Sequence, residues 1–200
     1  MIKYILIGGH IHKAQDGGKA FCDELIKDTD GKQIKILDCL FARPLQEWDT
    51  KFQDDKNFFQ EHLQNFEIEL ATPENFLEQV KKSDIIFFQG GVPHQLMSII
   101  ATNGDWVKEL DGKVLVGSSG GADAICKYYG VGKTSNIGEG LGLLPIKFIP
   151  HWKSDYAPGI VINWDELFNK LKTHKENLKI VTLGEGEFIV FNDARVALSE

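Results

Sequence analysis

The chain has 200 residues, of which 42% are hydrophobic and 26% are charged, and its formal net charge is −7 at pH 7. These values are ordinary for a globular protein, so we expect a single domain over residues 1–200. The acidic balance argues against nucleic acid as the main partner, because phosphate binding needs clustered Lys and Arg.

The cysteines and the N-terminal segment indicate where the protein works. Cys22, Cys39 and Cys126 lie far apart and show no CxxC spacing. This pattern fits a reducing compartment and predicts no structural zinc. The first apolar run is too short for a signal peptide, and no window approaches a transmembrane span. We therefore expect a cytoplasmic protein that does not interact with membranes.

Apolar segments bounded by turn residues alternate with helical periodicity in the first part of the chain. Residues rich in Ile, Val and Phe predict buried parallel strands at 3–7, 34–39, 66–71, 85–89 and 113–117. Apolar residues at helical spacing predict helices at 18–27 and 54–64. A third helix is predicted after Thr72-Pro73-Glu74-Asn75, which resembles a cap, a first-turn proline and an acidic first turn.

The second part of the chain continues this alternation. We predict a helix at 122–129, a glycine-rich loop at 130–142 and a helix at 164–175. Further strands are predicted at 146–149, 160–162, 179–183, 188–191 and 195–198, the last two forming an antiparallel hairpin. The whole pattern predicts a three-layer α/β fold: an open, mostly parallel sheet with helices on both faces and an antiparallel C-terminal edge hairpin.

One glycine-rich turn carries a candidate nucleophile. Gly117-Ser118-Ser119-Gly120-Gly121 matches G-x-S-x-G between a predicted strand and a predicted helix. A serine at this position sits on a tight turn, with the free N–H groups of a helix N-terminus beside it. Ser119 is preferred over Ser118 because it alone has glycine two residues away on each side, and the Gly120 N–H is a candidate oxyanion donor. The alternative is a turn whose serines only cap the helix.

A second glycine turn is predicted at the same edge of the sheet. Gly90-Gly91 follows the strand at 85–89. Ligands of parallel sheets bind beyond the carboxyl ends of the strands, where both turns lie. The Gly91 N–H is therefore a candidate second oxyanion donor. The alternative is a turn that needs glycine only for its backbone conformation.

Three segments resemble the serine peptidase family of dipeptidase E and cyanophycinase. They are Phe87-Phe88-Gln89-Gly90-Gly91-Val92-Pro93-His94-Gln95-Leu96, Gly117-Ser118-Ser119-Gly120-Gly121-Ala122, and Gly140-Leu141-Gly142-Leu143-Leu144-Pro145 with Pro150-His151. Their order and spacing agree with the family over nearly the whole chain. The resemblance implies a class I glutamine amidotransferase-like fold and a serine peptidase or amidase that cleaves short peptides through an acyl-enzyme.

The resemblance also implies the catalytic residues. Ser119 would be the nucleophile and His151 the general base, because serine needs a base and the imidazole needs an acceptor on its other nitrogen. Glu185, in Leu183-Gly184-Glu185-Gly186-Glu187, is our choice for that acceptor, and Glu139 is the second candidate. Two departures stand out: the family has Ala at the position of Gly120, and its glycine-pair loop continues with Asn-Thr instead of Val92-Pro93.

The expected substrate pocket follows from residues near these motifs. His94 lies close to Gly91, and Trp152, Lys153 and Tyr156 follow His151, so we expect these four to line the pocket; for the two aromatic residues core packing is the alternative. Dipeptidase E has an arginine downstream of its histidine that is associated with acidic substrates, and this chain has none there. We predict little or no preference for N-terminal aspartate.

Two other functions stay open on the sequence. An α/β-hydrolase-type esterase would use Asp165 and His174 in the order Ser, Asp, His. A non-catalytic member of the fold would bind a small ligand or a partner.

His10 and His12 could share a metal, but the sequence offers no third ligand, so we predict no metal and no cofactor. The expected partner is a small peptide substrate, and a homodimer stays open.

Overall fold

The structure, a computed structural model, describes residues 1–192. The predicted strand at 195–198, and with it half of the predicted hairpin, lies outside the described residues. Within residues 1–192, no helix combines the length and the apolar character needed to cross a bilayer.

Ten strands and six helices form the described part of the chain. The strands are β1 (Lys3–Ile7), β2 (Ile34–Cys39), β3 (Phe66–Leu70), β4 (Ile85–Phe88), β5 (Val114–Ser118), β6 (Cys126–Val131), β7 (Asn136–Glu139), β8 (Leu144–Ile149), β9 (Ile180–Thr182) and β10 (Phe188–Phe191). The helices are α1 (Lys19–Ile26), α2 (Trp48–His62), α3 (Phe76–Lys82), α4 (Pro93–Ile100), α5 (Gly120–Ile125) and α6 (Trp164–Thr173). Helix α4 is not among the elements predicted from sequence.

The main sheet has six strands in the order β10-β1-β5-β4-β2-β3. Five of them are parallel, and β10 pairs with β1 in the antiparallel direction at the edge. The mostly parallel sheet with an antiparallel C-terminal edge is thus confirmed. Its strands are nearly continuous apolar runs because both faces are covered. Helices α1 and α2 cover one face, and α3, α4 and α5 cover the other.

A second sheet has the strand order β7-β6-β8-β9. It packs on the face of the main sheet that α3, α4 and α5 cover. The sequence predicted one sheet only, so this second sheet is a correction. The predicted helix at 122–129 is wrong beyond residue 125, because α5 ends there and β6 begins at Cys126. Tyr128 and Tyr129 are buried in β6 between its neighbours. β6 pairs with β7 on one side and with β8 on the other. These contacts are distant in sequence, so local periodicity does not reveal them, and they override the helical pattern of residues 126–129.

Two further predictions on this part of the chain need correction. The predicted loop at 130–142 contains β7, which pairs with β6. Its glycines make room for packing: a Cβ on Gly138 would lie 2.2 Å from the Tyr129 ring. The predicted strand at 160–162 belongs to neither sheet, and Val161 is 99% exposed, so this apolar run has no sheet partner.

The direction of chain travel across the main sheet reverses between the neighbouring strands β2 and β4. β2 leads through α2 to β3, whereas β4 leads through α4, on the opposite face, to β5 on the other side. In open α/β sheets the crevice at such a reversal, beyond the carboxyl ends of the strands, is the usual ligand position. The ends of β2, β4 and β5 meet there.

Candidate active site

Ser119 lies between β5 and α5 in a strained backbone conformation, with φ 49° and ψ −116°. A non-glycine residue in such a region costs about 1–3 kcal/mol. The Ser119 N–H donates to the carbonyl oxygen of Ile7 at 2.9 Å, which holds the turn against β1. The side chain makes no capping hydrogen bond to α5. The turn therefore presents the hydroxyl to another group, and the reading of Ser119 as a simple helix cap does not apply.

That group is the imidazole of His151, which follows β8. Ser119 Oγ lies 2.7 Å from His151 Nε2. The backbone of His151 is left-handed, with φ 55°, and its N–H donates to the Gly8 carbonyl at 3.0 Å. Gly9 leaves room for the ring, because a Cβ there would lie 2.3 Å from Cε1 of His151. The aromatic ring of Tyr156 stacks on the other side, with centroids 4.2 Å apart and planes within 10°.

Glu185, between β9 and β10, completes a series of hydrogen bonds that begins at Ser119 and passes through His151. Its Oε1 lies 2.8 Å from Nδ1 of His151 and accepts a hydrogen bond from Ser154 Oγ at 3.1 Å. Its Oε2 lies 2.8 Å from Nδ1 of His10. An ionised carboxylate only accepts, so each imidazole donates through Nδ1. His151 Nε2 is then the acceptor for the Ser119 hydroxyl, which is the tautomer that a general base needs.

The electrostatic environment fits these protonation states. Burial lowers the pKa of His151 below its ordinary value, against the opposing influence of Glu185. Burial raises the pKa of Glu185, but hydrogen bonds from His151 and His10 outweigh it, and the net pKa lies below the usual range. At neutral pH the imidazole is therefore neutral and the carboxylate ionised.

The other residues that the sequence offered as partners of Ser119 and His151 lie outside this site. Glu139 is exposed on β7 and forms an ion pair with Lys175. His174 follows α6, and its ring packs on Tyr128 with centroids 5.0 Å apart. Asp165 lies in the first turn of α6. None of the three lines the cleft that contains Ser119, so the structure brings together neither the second-choice carboxylate nor the esterase arrangement.

The two glycines predicted as oxyanion donors lie beside Ser119. Gly120 is the first residue of α5, so its N–H has no partner within the helix. A Cβ on Gly120 would lie 2.2 Å from the carbonyl oxygen of Gly91. The family's Ala therefore cannot fit at position 120 with this conformation of the Gly90-Gly91 loop, which explains the departure at that position. The role of both glycines stays a prediction.

A cleft of about 520 Å³ opens in front of Ser119. Of the four residues expected to line a substrate pocket, only Tyr156 lines it. His94 is exposed on α4, and Trp152 turns away to pack against Trp164 and Phe168. Lys153 is exposed, with its ammonium over the Trp152 ring. Both His151 and Lys153 have positive φ, and the side chains of Trp152 and Lys153 lie outside the cleft.

Sequence analysis did not connect His10 and Ser154 to this site. The sequence pairs His10 only with His12, and it does not indicate that residues 8–10 lie close to the loops at 151 and 185. His10, His151 and Glu185 offer ligand atoms that all lie within 4.8 Å. A metal ion bound there would displace the hydrogen bonds from His10 and His151 to Glu185, so this group fits an orienting network better than a metal site.

Comparisons with known proteins agree with this architecture. Residues 5–199 match the model described as peptidase family S51. The fold is similar to a peptidase from an acI-B1 Actinobacterium, with TM-score 0.64 and 21% identity over 94% of this chain and 82% of that one. It is also similar to a peptidase E candidate from Listeria monocytogenes EGD-e, with TM-score 0.68 and 16% identity over 96% and 94% of the two chains. A search of curated proteins found no match.

Proposed function

The chain belongs to peptidase family S51, and on that premise we propose that it is a serine peptidase or amidase that cleaves short peptides through an acyl-enzyme on Ser119. The observation that carries this proposal is the continuous hydrogen-bonded line from Ser119 Oγ through His151 to Glu185. A nucleophile, a base and an orienting carboxylate in this order are what acyl transfer by serine requires.

The proposed reaction begins with attack of Ser119 Oγ on the peptide carbonyl carbon. Nε2 of His151 takes the hydroxyl proton, and Glu185 stabilises the imidazolium that forms. The N–H groups of Gly120 and Gly91 stabilise the oxyanion of the tetrahedral intermediate, and the positive end of α5 adds to this. His151 then gives its proton to the leaving amine. Water repeats the same steps on the acyl-enzyme, which releases the acid and restores Ser119.

We also propose that residues 1–200 act as one domain in the cytoplasm. Cys22, Cys39 and Cys126 are free and buried. Burial raises the pKa of each thiol, to about 12 for Cys22. Such thiols are unreactive and form no bridge with one another, which is compatible with a reducing compartment.

A fluorophosphonate probe tests the nucleophile. We expect wild-type protein to gain one adduct, which peptide mass spectrometry should locate on Ser119. The Ser119→Ala variant should stay unlabelled. Ser118→Ala is the matched control, because Ser118 lines the same cleft, and it should label at the wild-type rate. A label on Ser118, or no label on a folded wild-type protein, contradicts the proposal and favours the non-catalytic alternative.

A further inference from the structure

The aromatic ring of Tyr156 covers one face of the imidazole of His151. The two ring centroids are 4.2 Å apart and the ring planes differ by 10°, which is a nearly parallel stack. His151 is buried, and Tyr156 lines the cleft beside it. The proposed reaction uses Nε2 and Nδ1, at the edges of this imidazole, with Ser119 and Glu185 as their partners. The stacked face has no assigned part in that reaction.

Tyr156 is held in this position by two other parts of the chain, although residues 152–163 contain no helix or strand. One is the turn between β6 and β7. The backbone N–H of Lys133 in that turn interacts with the phenol oxygen, and a Cβ on Gly132 would lie 2.9 Å from the same oxygen. The other is α6, where the ring of Trp164 lies 6.3 Å from the Tyr156 ring between centroids. The second sheet and α6 therefore fix the phenol against the imidazole.

The charged groups around His151 have opposing influences on its protonation. Burial lowers the pKa of His151 most strongly, Glu185 opposes this, and His10 and Lys13 lower the pKa further. Tyr156 adds no charge to this set, because burial raises the pKa of its phenol above the ordinary value of 10.0. An influence of Tyr156 on the protonated imidazole must therefore come from its ring face.

An aromatic face carries partial negative charge, so it attracts a cation that lies within about 6 Å of the ring centroid. The imidazolium that forms when His151 takes the Ser119 proton meets this condition at 4.2 Å. The attraction is larger where water is excluded, as at the buried His151. The ammonium of Lys133 lies 5.5 Å from the same centroid, but Lys133 is exposed, so solvent screens its repulsion of the imidazolium.

We propose that Tyr156 is a positioning residue for the reaction at Ser119: its ring holds the imidazole of His151 between Ser119 and Glu185 and stabilises the imidazolium through its face. Tyr156 exchanges no proton, since the proton moves from Ser119 Oγ to Nε2 of His151 and then to the leaving amine. The inference rests on the proposed function for that reaction, but the effect on the imidazole can be measured without turnover.

The pKa of His151 tests the inference, and proton NMR of the imidazole Cε1–H measures it, with the signal assigned by its loss in His151→Ala. Tyr156→Leu keeps an apolar group against the imidazole but removes the aromatic face. We expect it to lower the pKa of His151 by about 0.5 or more. Tyr156→Phe keeps the face and should leave the pKa within about 0.2 of the wild-type value.

A fluorinated ring separates the charge of the face from its shape. Fluorine withdraws electrons and reverses the charge on the ring face, while the ring keeps its planar shape. Tyr156→pentafluorophenylalanine should therefore lower the pKa of His151 at least as much as Tyr156→Leu. Lys133→Gln is the control for the neighbouring ammonium, and it should change the pKa of His151 by less than about 0.2 because that ammonium is exposed.

Three results would each overturn the inference. The first is an equal pKa of His151 in the wild-type and Tyr156→Leu proteins. The second is a higher pKa in Tyr156→Leu, because the ring would then act only by excluding water. The third is a wild-type pKa in the pentafluorophenylalanine variant, because ring shape alone would then explain the stack. Circular dichroism checks that each variant is folded, and the comparison of the two aromatic variants does not depend on Tyr156→Leu folding.

Failure of this inference and failure of the proposed function give different results. Fluorophosphonate labelling of Ser119 with an unchanged His151 pKa in Tyr156→Leu leaves the peptidase proposal intact and rejects the role of Tyr156. The expected pKa shift without labelling supports the stabilising stack and contradicts the peptidase proposal. In the active enzyme, Tyr156→Leu should lower kcat by about threefold or more, with a smaller change in KM, and Tyr156→Phe should restore most of the loss.

Discussion

The two ends of the cleft differ in how completely their polar groups are satisfied. At the Ser119 end, the hydroxyl, both imidazole nitrogens of His151 and both oxygens of Glu185 have partners between 2.7 and 3.1 Å. At the Asp38 end, the buried carboxyls of Asp38 and Asp55 face each other, and burial raises the pKa of both. Catalysis gains from groups that are already in place before the substrate arrives, whereas two buried carboxyls with no base between them share a proton in preference to ionising together. The contrast separates an end that holds an ionised carboxylate beside an imidazole from an end where two carboxyls share a proton.

The largest expected effect is at the completed end. Ser119→Ala or His151→Ala should each lower kcat/KM by about 10³-fold or more, because the triad acts as a unit. The double variant should lose little beyond either single one. Steady-state rates on a short peptide amide measure this, with Ser118→Ala as the control. Near-normal turnover of His151→Ala together with a loss in His174→Ala would instead support the esterase arrangement.

Gly120→Ala should have the next largest effect on activity. The added Cβ would meet the Gly91 carbonyl oxygen at 2.2 Å, so the loop must move and one oxyanion donor is lost. Loss of one such donor lowers kcat by about 10²-fold. The measurement is kcat at saturating substrate, with fluorophosphonate labelling of Ser119 as a check on the nucleophile. A variant that keeps wild-type kcat rules out this loop as part of the oxyanion site.

His10→Ala should have a smaller effect, about threefold to tenfold on kcat, because it removes one of three donors to Glu185 and none of the reacting groups. KM should change less than kcat. His10→Gln can keep a donor toward Oε2 and should recover part of the loss. His12→Gln is the control, because among residues 1–192 Glu185 has hydrogen bonds with His10, His151 and Ser154 but not with His12. Equal effects of the His10 and His12 variants would contradict an orienting role.

The acidic limb of the pH profile of kcat/KM tests the pKa of His151. Because burial lowers the pKa of His151, the imidazole becomes protonated, and activity falls, only below its ordinary value of 6.5. Glu185→Gln removes the carboxylate that raises this pKa, so the acidic limb of kcat/KM should move to still lower pH while the plateau falls. An acidic limb above 6.5 in the wild type contradicts the buried, neutral base.

The smallest expected effect is on protein stability, and it concerns Asp55 at the Asp38 end of the cleft. The folded-state pKa of Asp55 is about 6, above its ordinary value of 3.8. The folded protein therefore holds more protons than the unfolded chain between these values, and its stability falls as pH rises through that window. Asp55→Asn removes this dependence and should raise the melting temperature at pH 8 by about 2–4 °C, for a gain of about 1 kcal/mol. At pH 4 the gain should vanish, and Asp54→Asn should show none.

The sequence predicted the parts of the molecule that depend on local pattern. The strands of the main sheet were recognisable because strands buried on both faces are continuous apolar runs. The turn at Ser119 was recognisable from its glycines, and family resemblance supplied His151 and Glu185. The second sheet was missed because pairing of β6 with β7 and β8 depends on contacts far along the chain.

Side-chain direction and polar burial were harder to predict. Trp152 and Lys153 follow His151 in sequence, but the left-handed backbone at His151 and Lys153 turns them out of the cleft. Asp38 did leave a signal, since a carboxylate inside the apolar segment Ile34-Lys35-Ile36-Leu37-Asp38-Cys39 is unusual for a buried strand. Its partner Asp55 is on a separate helix, so only the folded structure connects the two.

One measurement tests the central claim most directly: inactivation by an alkyl phosphonate ester of the wild-type protein and of the His151→Ala variant. The account predicts that the reagent modifies Ser119 and no other residue. It also predicts that His151→Ala lowers the inactivation rate by about 10²-fold or more, because the general base is lost. An adduct on another residue, or equal inactivation rates for the wild-type and His151→Ala proteins, would contradict the account.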